Sequence, residues 1–165
     1  MRRRLALLAF VAVLAAPSQA EALLCTPILG CSCSVSATDM AMTPVQPLAG
    51  IAGTGVSDIA VDCTHVIDVL PSLVVKFGAG LNGAIADRRM KNAAGDLLAY
   101  NIYTSTAYTT ILGDGTGGFA GLTLSGGLLS LGHWTATGAA YGRAPAVPSA
   151  KPGDYTDTIT VRIDW

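Results

Sequence analysis

The chain has 165 residues, 51% hydrophobic and only 13% charged, with 10 Lys+Arg against 11 Asp+Glu and 19 glycines. So few basic residues leave no patch able to neutralise a phosphate backbone, which argues against nucleic acid as a partner. A chain of this length suits one domain with a real core.

The N-terminus sets Arg2, Arg3 and Arg4 ahead of an apolar run from Leu5 to Ala16. Pro17 breaks the run, and Ser18-Gln19-Ala20 puts small residues on either side of Gln19, as a cleavage site after Ala20 needs. This order predicts a secretory signal peptide over residues 1–20. The run of about a dozen residues falls short of the roughly 20 that cross a bilayer. Glycine, proline or charge interrupts every later apolar stretch, so no membrane span is expected once the signal is removed. The signal holds three arginines and no acid, so the mature chain keeps 7 basic and 11 acidic residues, a net charge of about −4.

Residues 21–32 form a short extension with two cysteines, Cys25 and Cys31, ahead of Cys33 and Cys63. An even count in an exported chain points to disulfides. A metal site is disfavoured: no Cys-x-x-Cys pair occurs, and His65 and His133 share no ligand spacing with the cysteines. No metal or other cofactor is expected.

From residue 33 onward the chain is rich in Gly, Thr, Ser and Val, which favours strands and turns. Strands are predicted at Cys33–Met42, Val56–Cys63, Ser72–Phe77, Asp96–Tyr103, Phe119–Leu124 and Gly132–Tyr141. Glycine-rich turns divide them, and Asp87-Arg88-Arg89 reads as a solvated turn. The last strand is the clearest. Tyr155, Ile159, Val161, Ile163 and Trp165 alternate with Thr156, Thr158, Thr160, Arg162 and Asp164, and only Asp157 disturbs the pattern. Alternation sends one face to a core and the other to water. Six to eight short strands between turns predict an all-β sandwich or barrel.

No catalytic constellation emerges, and no enzyme is expected. The two histidines read as ordinary residues near strand ends, with no nucleophile elbow beside them. Gly113-Asp-Gly-Thr-Gly-Gly118 looks like a phosphate loop but lacks the Lys-Ser/Thr pair and a following helix.

Four segments together resemble the spore coat protein U domain, the subunit family of archaic chaperone–usher pili. They are Cys33-Ser-Val-Ser-Ala; Ile59-Ala-Val-Asp-Cys63-Thr; Arg89-Met-Lys-Asn92 leading to Leu98-Ala-Tyr-Asn-Ile-Tyr103; and Tyr141-Gly-Arg-Ala-Pro145 followed by Pro152-Gly-Asp-Tyr-Thr-Asp-Thr158. The resemblance covers residues 33–165. It implies an immunoglobulin-like sandwich lacking its final strand, completed by a strand lent first by a periplasmic chaperone and later by a neighbouring pilin subunit. It also implies an outer-membrane usher and a route through the periplasm to a surface pilus that serves adhesion or biofilm formation. Tyr155, Ile159, Val161, Ile163 and Trp165 match the strand that borders the gap. Cys33 and Cys63 match the family's bridge, worth roughly 3–4 kcal/mol by the chain-entropy argument.

The extension departs from the pattern. Extended, residues 25 and 31 would lie about 20 Å apart, whereas a disulfide needs Cα atoms within about 7 Å. A Cys25–Cys31 bridge and a fully extended donor strand across residues 21–32 therefore exclude each other. Bridged, the subunit belongs at a tip or end of a fibre; paired otherwise, the segment is free to donate. The other reading of the whole chain is a free-standing secreted or periplasmic binding module with a complete sandwich.

Overall fold

The structure is a computed structural model and describes residues 30–164. The predicted signal peptide, most of the extension with Cys25, and Trp165 lie outside the described residues. Nine strands form: β1 (Ser32–Ala37), β2 (Gly53–Val69), β3 (Ser72–Phe77), β4 (Gly83–Ala84), β5 (Asp87–Lys91), β6 (Leu97–Tyr103), β7 (Leu122–Ser125), β8 (Leu129–Ala144) and β9 (Val161–Ile163). They make a six-stranded sheet in the order β1-β2-β8-β6-β5-β4 and a three-stranded sheet β7-β3-β9, with every pairing antiparallel. The all-β sandwich expected from composition and alternation is the observed fold.

The two layers close on one core. The large sheet contributes Ile59, Val61, Val66, Trp134, Ala136, Leu98 and Ile102, and the small sheet Leu73, Val75, Phe77 and Leu124. The layers meet closely at Gly138, where an added Cβ would lie 2.5 Å from a Leu124 methyl carbon. Cys33 faces Cys63 across the β1–β2 ladder, and the two are joined by a disulfide with Cα atoms 4.1 Å apart. No described cysteine is free.

Two predicted strands are parts of much longer ones. Val56–Cys63 lies within the 17-residue β2, and Gly132–Tyr141 within the 16-residue β8. The reason is a bulge. His65 adopts φ 59° between Thr64, paired with His133, and Val66, paired with Gly132. The extra residue resets the alternation, so Cys63 and Val66 both enter the core while Ile67 turns outward. His65 therefore lies inside a strand, not near its end. His133 also lies within a strand and reaches Asp62 at 3.1 Å on the surface.

The predicted turn at Asp87-Arg88-Arg89 is instead the start of β5, and Arg88 is 0% exposed. Its guanidinium donates to Gly78 O at 2.7 Å, Leu112 O at 2.9 Å and Asn101 Oδ1 at 2.5 Å. Burial pulls its pKa down, opposed by the nearby Tyr100, Asp157 and Asp114. A planar fork of five donors can satisfy all these separate acceptors at once, whereas an ammonium has only three donors. Arg88→Met should strand these acceptors in the core and cost about 3 kcal/mol or more in chemical denaturation. Arg88→Lys should recover little of it. A loss below about 1 kcal/mol for Arg88→Met would show that the network is dispensable.

Candidate functional site

Along one side the edge strands β1 and β9 lie near each other without pairing, and a groove opens beside them. There the edge strand β1 continues as Ala37–Met42, and the chain that leads into the edge strand β9 runs from Tyr155 to Val161. Among the described residues no ladder joins these two stretches. Between them lies a groove of about 430 Å³ with Ile59, Phe77, Ile102 and Ala140 deep in it.

The terminal stretch is held on its far edge only. Thr156 exchanges two backbone hydrogen bonds with Lys91, at 2.8 and 3.0 Å, and Gly78 N donates to Thr160 O at 2.9 Å. Val161, Arg162 and Ile163 then pair with Phe77, Lys76 and Val75 of β3. Lys76 and Asp164 form an ion pair across this ladder. The predicted alternation survives in the burial: Tyr155, Asp157, Ile159, Val161 and Ile163 are half-buried, while Thr158, Thr160 and Arg162 are exposed. The inner row is only half covered because its near side faces the groove. The regular ladder is shorter than the predicted Tyr155–Trp165 strand, since residues 157–160 have a strand partner on neither side.

Asp157 breaks the apolar row for a reason the structure supplies. Its carboxylate accepts from the Tyr100 hydroxyl at 2.6 Å and from Leu81 N at 2.9 Å. Burial, then the hydrogen bond and the negative charge of Asp157, push the Tyr100 phenol well above its ordinary range. This polar pair ties the terminal stretch to β6 and divides the groove between Tyr155 and Ile159.

The opposite wall is not a strand but is pinned to β2. Thr38 N donates to Asp58 O at 3.0 Å, Thr43 N to Thr54 O at 2.8 Å, and the Ser57 hydroxyl to Thr38 O at 2.6 Å. Gly55 and Gly142 face each other across β2 and β8, and their bare backbones make room for Met40 and Met42. A Cβ on Gly142 would clash with the Met40 sulfur and with Met42 Cε.

Of the residues expected from sequence to border the gap, Tyr155, Ile159 and Val161 line the groove. Ile163 packs on the core beyond its end, and Trp165 lies outside the described residues. Sequence reasoning missed Met40, Met42, Met90 and Tyr100. The one available signal was Met40-Ala-Met42, a two-residue alternation past the end of β1 that is out of phase with Cys33, Val35 and Ala37.

A second surface lies at the far end of the long hairpin. Ile67 pairs with Leu131 and Val69 with Leu129, so the four share one face. They are 52%, 76%, 67% and 55% exposed, with Leu70 and Leu128 also exposed at the tip. Such a contiguous apolar patch is unusual on a surface that meets only water.

The family profile of the Spore Coat Protein U domain matches residues 20–162. No curated protein gives a significant match. Among solved structures, the chain is similar to one in the crystal structure of a chaperone–tip adhesion subunit pre-assembly complex from archaic chaperone–usher Csu pili of Acinetobacter baumannii. That match has a TM-score of 0.50 at 18% identity and covers 82% of this chain but 40% of that chain. At this identity the likeness is one of fold.

The Tyr100–Asp157 pair gives a pH signature. A phenol whose pKa is raised on folding stabilises the fold fully below its unfolded pKa, and the contribution is lost as pH rises above about 10. Unfolding midpoints of the wild type should hold up to about pH 10 and fall as the pH rises further. Tyr100→Phe should lower stability near neutrality by about 1 kcal/mol and flatten that fall. An unchanged alkaline slope in the variant would remove Tyr100 as the cause.

Proposed function

Because the chain belongs to the Spore Coat Protein U domain family, we propose that it is a structural subunit of a chaperone–usher surface pilus, assembled by strand donation. The observation that carries this reading is the open groove between Ala37–Met42 and Tyr155–Val161. An extended strand laid there meets a row of half-covered apolar side chains and the free edge of residues 157–160. Backbone hydrogen bonds supply affinity in such strand addition, and pockets for alternate side chains supply register. Tyr155, Ile159, Val161, Ile163 and Trp165 are the residues offered to the chaperone and later to a neighbour's donor strand. Residues 1–20 direct export, the periplasmic chaperone receives the chain, and an outer-membrane usher passes it to the surface.

Residues 21–32 decide its position in the fibre. Cys33 and Cys63 are taken by each other, and no described cysteine is free. We infer that Cys25 pairs with Cys31. A bridge that short cannot span an extended donor, so the subunit accepts a strand but does not give one, which suits a tip or terminal place. The apolar end formed by Ile67, Val69, Leu129 and Leu131 then serves adhesion, as a desolvating contact with an apolar target. Peptide mass mapping of the non-reduced protein should recover Cys25 linked to Cys31. Finding Cys25 joined to another molecule would return residues 21–32 to the donor role.

The principal test is expression of the mature chain in the periplasm with and without a chaperone of a chaperone–usher system. We expect it to accumulate only with the chaperone and to co-purify with it. Ile159→Asp with Val161→Asp should lower capture by about tenfold or more, because a carboxylate is forced into the groove. Leu129→Ser with Leu131→Ser should leave capture intact and weaken attachment of piliated cells to apolar surfaces. A chain that stays folded and monomeric without help, in equal yield, would favour a free-standing binding module instead.

A further inference from the structure

The sequence holds four methionines. One is Met1, and the other three, Met40, Met42 and Met90, all line the same groove. They come from two distant parts of the chain. Met40 and Met42 lie on the wall that follows β1, and Met90 lies in β5 on the far side. All three are half-buried and packed against the core. Met40 and Met42 rest on the bare backbone of Gly142, with no polar group of their own to satisfy there. The wall that carries them is pinned by backbone hydrogen bonds to β2, so only the side chains can adjust. A thioether on an unbranched stem suits such a wall, because it repacks easily around whatever strand arrives.

The same placement puts three oxidisable thioethers on the wall of the groove wherever it is empty. We propose that Met40, Met42 and Met90 form an oxidation-sensitive gate on strand acceptance. This rests on the strand-acceptor reading above. The oxidant is of the peroxide class. Its terminal oxygen is transferred to Sδ as the O–O bond breaks; the sulfur loses two electrons to become a sulfoxide, and water leaves. A sulfoxide oxygen is a strong acceptor set among apolar side chains, and the free backbone donors along residues 157–159 are the ones an incoming strand must pair with. It must either stay wet, holding the groove open to water, or be buried unpaired at a cost. Either way the incoming strand loses its contact with the wall. The change is reversible by enzymatic reduction of the sulfoxide. A seated strand covers the thioethers, so an assembled subunit is protected while an unfilled one is not.

The test uses the mature chain with its disulfides intact. The chain is unfolded, treated with hydrogen peroxide until all its methionines are sulfoxides, and diluted into chaperone. Capture should fall by about tenfold or more against the untreated chain. A variant carrying Met40→Leu, Met42→Leu and Met90→Leu, treated identically, should be captured as well as the untreated wild type. In the preformed complex, peroxide should modify the three methionines far more slowly than in the unfolded chain. Equal capture of the sulfoxide chain, equal loss in the leucine variant, or unprotected methionines in the complex would each overturn the gate. Failure of the untreated chain to be captured would instead overturn the strand-acceptor reading and this inference with it.

Discussion

A row of side chains with core on one side and open space on the other governs this molecule. Tyr155, Ile159 and Val161 point inward from a stretch tied on one edge to β5 and β3, and their other edge faces the groove. Each leaves apolar area uncovered that a further strand would bury, at roughly 25 cal/mol per Å². The free backbone of residues 157–159 adds unpaired donors and acceptors along the same line. Apolar demand and hydrogen-bonding demand thus coincide in one slot, and an extended polypeptide answers both at once.

The rest of the fold holds that slot open. The Cys33–Cys63 disulfide fixes the edge strand β1 to the long β2. Arg88 gathers carbonyls from the β3 end and the loop before β7, together with Asn101, around one buried guanidinium. Asp157 anchors the terminal stretch to Tyr100 and Leu81. These are rigid devices, and none of them fills the groove. A sandwich of ordinary completeness would spend the same residues on closing its edge. The adaptable groups are three methionines, and they stand where an arriving strand must fit.

Much of this was legible in the residues. The odd-even pattern from Tyr155 onward identified the half-covered row, and Ser72–Phe77 was read with its observed bounds. Glycine and threonine against so few charges gave the all-β class. Other features were hidden for physical reasons. The lengths of β2 and β8 were obscured by the His65 bulge and by Gly132, since each interrupts a two-residue period that a longer strand needs. Arg88 beside Asp87 and Arg89 looks like a wet turn, because its acceptors are brought together only by tertiary structure. The methionine wall was missed because residues 38–42 carry no ladder pattern, and Met90 joins it from fifty residues away. Asp157 breaks the alternation because its partner, Tyr100 of β6, reaches it only through tertiary structure.

Amide hydrogen exchange compares the edge directly in the two states. The amides of residues 39–42 and 157–160 should exchange quickly in the free subunit and slow by orders of magnitude when the chaperone is bound, while β2 and β8 hardly change. Edge amides already as slow as those of β2 in the free chain would mean that the sandwich is complete without a lent strand.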